Sequence, residues 1–213
     1  ALLNAGTDAS VEQIEAACIE SMRKWGKWYP NAGYGQRFWM WLFSKGKTAP
    51  YGSYGNGSAM RVSATGWLYD SLERTRDVAR ATANVTHNHP EGIKGAECTA
   101  AVIYMARIGA SKEEIAEYID SEFGYDYSET LEEMRSRHQL VESCQDSLPK
   151  ALRSFFDGKS YEDVVRNAIS LGGDTDTLAA IAGAMGEAFY GMSDEFKAEA
   201  RKRVGEDMVE VLD

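Results

Sequence analysis

Cysteine is scarce in this chain of 213 residues: Cys18, Cys98 and Cys144 stand far apart and odd in number. They match no zinc spacing and no disulfide framework, which points to a reducing compartment and to cytoplasmic localisation. Proline is rarer still, with four residues, so long stretches are free to be helical. Positive charge is in deficit: 23 Lys and Arg against 33 Asp and Glu give a net charge of -10. That balance disfavours nucleic acid and anionic membrane as partners and tolerates bound cations. No apolar run reaches the length of a membrane span. The opening Ala1-Leu2-Leu3-Asn4 lacks the charged start of a signal peptide and reads instead as the tail of a helix. No segment alternates as a half-exposed strand does, no βαβ rhythm appears, and there is no repeat or linker.

What is present is helical periodicity. Ser10 or Asp8 can cap a helix that buries Val11, Ile14, Ala17, Cys18 and Met22 on one face and ends near Gly26. Further helices are expected over 36–44, 58–72, 75–84 and 91–108, the last starting after Pro90. Ser111 with Glu114 forms a capping box for the next. Ser128 is expected to open a helix toward Arg137 and Pro149 one toward Phe156. Residues 161–170 read as helical, and Ser193 begins a charged terminal helix. The segment 47–57 reads as a loop. The chain is therefore expected to be all-α. Leu178 to Gly186 is apolar all round, which predicts a central, buried helix.

The densest chemistry lies just before that helix, in Leu171-Gly172-Gly173-Asp174-Thr175-Asp176-Thr177. Two carboxylates and two hydroxyls within four residues are hard oxygen donors suited to Mg²⁺ or Ca²⁺. A capped helix start is the competing reading, although one cap needs only one such residue. Ser53-Tyr54-Gly55-Asn56-Gly57-Ser58-Ala59-Met60-Arg61 is a glycine-spaced polar loop entering a helix. It reads as an ordinary cap with Arg61 in solvent; anion capture by backbone N–H groups and Arg61 is the alternative. Thr86-His87-Asn88-His89-Pro90 pairs two histidines at a spacing that does not make a helical zinc pair, so they are expected to hydrogen-bond a ligand or the backbone. His138 reads as surface. The aromatics around Asn31-Ala32-Gly33-Tyr34-Gly35 read as core, and Cys144 has no histidine partner to make it a nucleophile.

In order and content, the motifs Tyr29 to Gly35, Gly55 to Arg61, Thr86 to Pro90, Ser143-Cys144-Gln145 and Gly172 to Thr177 resemble the ADP-ribosylglycohydrolase family. The resemblance implies one ADP-ribosylglycohydrolase-like domain over 1–213: a compact, single-domain, multi-helical orthogonal bundle with a central metal and ligand cleft. It implies a hydrolase that removes ADP-ribose from a protein or small molecule by cleaving the glycosidic bond at the anomeric carbon, using two Mg²⁺ ions. Carried over residue by residue, Asp174, Asp176 and Thr177 are the expected metal ligands. Asn56, Gly57, Ser58, Met60, His87, Tyr34 and Gly35 are the expected substrate contacts. The family's N-terminal Thr-Asp-Asp motif does not occur in these 213 residues. The expectation is therefore of a chain lacking that segment, with its acid–base carboxylate there and an N-terminal fragment as a partner completing the site. A noncatalytic ADP-ribose-binding or structural relative is the alternative.

Overall fold

The computed structural model describes residues 1–46, 48–137 and 139–212; His138, read above as surface, and Lys47, at the start of the expected loop, lie outside them. Among the described residues the fold is all-α, with fourteen helices and one isolated antiparallel bridge between Gly55 and Ser143. The helices are α1 Leu2–Ala5, α2 Val11–Trp28, α3 Gln36–Phe43, α4 Gly57–Met60, α5 Ser63–Leu68, α6 Leu72–Asn84, α7 Pro90–Arg107, α8 Lys112–Glu122, α9 Leu131–Arg137, α10 Cys144–Asp157, α11 Tyr161–Ser170, α12 Thr175–Tyr190, α13 Asp194–Arg201 and α14 Glu206–Leu212.

Capping chemistry sets most of these starts. Ser10 with Gln13 and Ser111 with Glu114 form reciprocal boxes. Three boundaries differ from expectation. Ser143 caps α10, so this helix starts five residues before Pro149 and carries the proline inside it. Ser128 bonds Asp126, and the reciprocal pair Thr130–Glu133 precedes α9. The single helix expected over 58–72 is broken into α4 and α5 at Arg61 and Val62. There Arg61 donates to Thr82 O and Thr86 Oγ1 beyond its own helix. Gly66 lets α5 lie against α7, where an added Cβ would fall 2.4 Å from Ile103 Cγ2.

The central helix is α7, which packs against α4, α5, α6, α8, α10 and α12 and buries eleven of its residues. α12 is buried on one side through Leu178, Ile181, Ala182 and Met185, but Asp176 and Ala180 are exposed. Its apolar composition reflects small residues packed on α11, where Gly186 approaches Val164, and not burial all round. The largest core cluster joins α7, α8, α10, α11 and α12; a second joins α2, α3 and α6. Between them opens a cleft.

Candidate functional site

Three irregular segments meet at this cleft. The loop 53–56 is held by Asn56 N donating to Glu142 O (2.8 Å) and by Cys144 N donating to Tyr54 O (2.9 Å). The segment 139–143 in turn crosses the Gly172–Gly173 turn. Gly173 has φ +72°, and an added Cβ would lie 2.6 Å from Gln139 O, so both the conformation and the space demand glycine. That turn delivers Asp174 to the N-cap of α12. Asp174 makes no side-chain cap hydrogen bond there. Its Oδ2 instead accepts from Asn56 Nδ2 (2.7 Å), and Asn56 Nδ2 also reaches Ser147 Oγ (3.0 Å).

The cleft has a volume of about 670 Å³. Its walls include Tyr34, Gly35, Asn56, Gly57, Met60, His87, Asp174, Asp176 and Thr177, nine of the ten expected site residues. Ser58 is apart from them: it is fully buried, and its hydroxyl donates to Gly92 O (2.7 Å). Thr177 is nearly buried, with Oγ1 3.6 Å from Met60 Sδ. Tyr34 both lines the cleft and packs edge-on against Phe38. His89 uses Nδ1 to accept Glu91 N at the start of α7, a capping role. Cys144 is buried, its Sγ donates to Gly55 O, and burial pushes its thiol up to about 11. A thiol so held is inert as a nucleophile.

Sequence reasoning missed two wall residues with charge, Glu142 and Arg37, and misplaced a third. Arg61 lines the cleft without being solvated; burial pulls its guanidinium down to about 10. Its carbonyl and hydroxyl partners come from α6 and the turn after it, a contact no local pattern announces. The lining thus carries three carboxylates (Asp174, Asp176, Glu142) and two guanidiniums (Arg37, Arg61), with no ion pair between the two sets among the described residues. His87 is buried, and desolvation, reinforced by Arg61 and Arg37, pulls its ring down to about 3. It is therefore neutral at physiological pH.

The donor set at the mouth of α12 is hard oxygen: two carboxylates and a hydroxyl, with Glu142 lining the same cleft. In kind it fits a magnesium-like cation. In number it falls short of a complete protein shell. Among the described residues no three His, Cys, Asp or Glu are grouped closely enough to hold a metal by themselves.

A family model described as ADP-ribosylglycohydrolase matches residues 2–212. The ADP-ribosylhydrolase ARH3 of Mus musculus is 30% identical over 186 residues, covering 66% of this chain and 50% of the relative. The ADP-ribosylarginine hydrolase Tri1 of Pseudomonas putida is 30% identical over 149 residues, covering 65% of this chain and 39% of the relative. The chain thus spans about half the length, or less, of these curated relatives. A solved structure titled ADP-ribosylglycohydrolase-related protein complex superposes with a TM-score of 0.64 at 24% identity, over 86% of this chain and 71% of the other, and so shares the fold.

Proposed function

Since the chain belongs to the ADP-ribosylglycohydrolase family, we propose that its cleft binds ADP-ribose and that it serves as one domain, 1–213, of a cytoplasmic ADP-ribosyl hydrolase. The bond cleaved is glycosidic, at the anomeric carbon of ADP-ribose attached to a protein or small molecule. The observation that carries this reading is the mixed charge of the cleft: carboxylates and guanidiniums line one cavity without an ion pair between them among the described residues. A sugar diphosphate needs both, cations for its phosphates and cation-holding oxygens beside its hydroxyls.

Asp174, Asp176 and Thr177 would hold Mg²⁺. When bound, the metal supplies positive charge that grips ribose hydroxyls and lowers the pKa of water. Asn56 fixes the Asp174 carboxylate by its 2.7 Å hydrogen bond, the kind of outer contact that orients a metal ligand. Arg37 and Arg61 favour the anionic part of the ligand, and neutral His87 offers a hydrogen bond without adding charge. Tyr34, Gly35, Gly57 and Met60 shape the wall against which the nucleotide lies, and Ser58 supports the loop from beneath. A second Mg²⁺ and the acid–base carboxylate call for further ligands, which an N-terminal fragment carrying Thr-Asp-Asp would bring.

The test is release of ADP-ribose from ADP-ribosylated arginine or serine peptides, with and without Mg²⁺ and with and without such a fragment. Magnesium-dependent turnover that rises when the fragment is added is expected. Full turnover by this chain in chelator would reject the assignment of Asp174, Asp176 and Thr177. The incomplete metal shell favours one second reading: a relative that binds ADP-ribose without turning it over. Binding without release under every condition would select it.

A further inference from the structure

We infer that Arg61 and Thr86 are positioning residues that lock His87 in its Nε2–H tautomer, so that the ring presents a hydrogen-bond donor to the cleft. The chain of contacts fixes the direction of each proton. An Arg61 terminal nitrogen lies 2.8 Å from Thr86 Oγ1 and 3.0 Å from Thr82 O. A guanidinium only donates, so Thr86 Oγ1 accepts. Thr86 is fully buried, and its hydroxyl has one other neighbour, His87 Nδ1, at 2.7 Å. If Nδ1 carried the proton, the hydroxyl hydrogen would be left without an acceptor in the interior, at a cost of about 1–3 kcal/mol. With Thr86 donating to Nδ1, the hydroxyl and Nδ1 are both satisfied, and the ring hydrogen must sit on Nε2.

Nε2 has no hydrogen-bond partner among the described residues. It lies at the glycine loop of the cleft wall: a Cβ added to Gly57 would stand 3.3 Å from it, and one added to Gly55 3.6 Å. Both glycines keep this edge of the ring open. The other groups facing the ring are Arg61 from the end of α4, Arg37 from α3, and Tyr51, whose ring centroid is 6.1 Å away. Both charged neighbours are cations, so nothing there draws a second proton onto the ring. His87 therefore reads an acceptor and rejects a ligand that offers a donor at the same place. This rests on the reading above for the identity of the acceptor, an oxygen of ADP-ribose, but the tautomer itself does not.

Long-range proton–nitrogen correlation spectra of the ¹⁵N-histidine-labelled protein test this directly, since the chain has only three histidines. The expected spectrum has a protonated Nε2 and an unprotonated Nδ1 for His87, unchanged from about pH 8 to about pH 5, where an ordinary histidine charges. Thr86→Val is expected to lose the single-tautomer pattern and Thr86→Ser to restore it. An Nδ1–H or cationic His87 in the unaltered protein would overturn the inference, and needs no variant to fold. A single tautomer that survives Thr86→Val would overturn it as well. Titrating ADP-ribose into the same sample separates the two readings. An Nε2–H ring with no ADP-ribose response supports the lock and counts against the ligand, whereas an Nδ1–H ring in a protein that binds ADP-ribose does the reverse.

Discussion

Asn56 and Asp174, 118 residues apart, are joined by a hydrogen bond of 2.7 Å that ties the loop before α4 to the N-cap of α12. This single contact holds a carboxylate away from the helix it would otherwise cap. Asn56→Ala is expected to leave the fold intact and to weaken Mg²⁺-dependent ADP-ribose binding by about 10–100-fold, the usual cost of losing an outer-shell partner. Calorimetry of the variant at fixed Mg²⁺ measures it; unchanged affinity would remove Asn56 from the site.

The Gly172–Gly173 turn is expected to be intolerant of side chains. Gly173→Ala meets both a left-handed backbone and the Gln139 carbonyl, and should cost about 1–3 kcal/mol in urea denaturation. Gly6→Ala is the control: its φ is also positive, but nothing lies within 4 Å, so it should cost less, about 1 kcal/mol. Equal losses would show that the contact with Gln139 does not matter.

Much of this was legible in the sequence where the signal is local. Ser111 with Glu114 marks the start of α8, and the helix expected over 161–170 has those bounds in the structure, where Ser160 caps it and an apolar face runs through it. The family motifs located nine of the cleft residues. Contacts between distant segments were illegible. Glu142 reaches the cleft only because 139–143 pairs with the loop at Gly55, and Arg61 is buried only because the end of α6 supplies acceptors. Composition serves in part: most of Leu178 to Gly186 is buried as expected, but α7, with its glycines at 92 and 95 against Ser53 and Cys144, holds the centre.

His87 should make the fold acid-sensitive. Its folded pKa is pulled from 6.5 to about 3, so below about pH 6.5 the unfolded chain takes up a proton that the folded chain refuses. Stability is then lost as pH falls from about 6.5 toward about 3, and no further below that. His87→Gln removes this linkage. The stability of the variant relative to the parent should rise between pH 7 and about pH 5 in urea titrations. A gap that stays constant would mean that His87 is protonated in the fold.

Lys112 closes the far end of α10. Its Nζ donates to Phe155 O (3.0 Å), Phe156 O (2.9 Å) and Gly158 O (2.7 Å) above the rings of Phe155, Phe189 and Tyr190. Lys112→Met keeps the stem and strips the donors from three carbonyls, so a loss of about 1–3 kcal/mol is expected with no change in ADP-ribose affinity. Thermal melting and calorimetry on one sample check both halves.

The central claim is that the mouth of α12 holds a divalent cation against ADP-ribose. Calorimetric titration of ADP-ribose into the protein with Mg²⁺, with chelator, and into Asp174→Ala tests it most directly. Binding that needs Mg²⁺ and falls at least about tenfold in both other arms is predicted. Affinity that is the same in all three would contradict it.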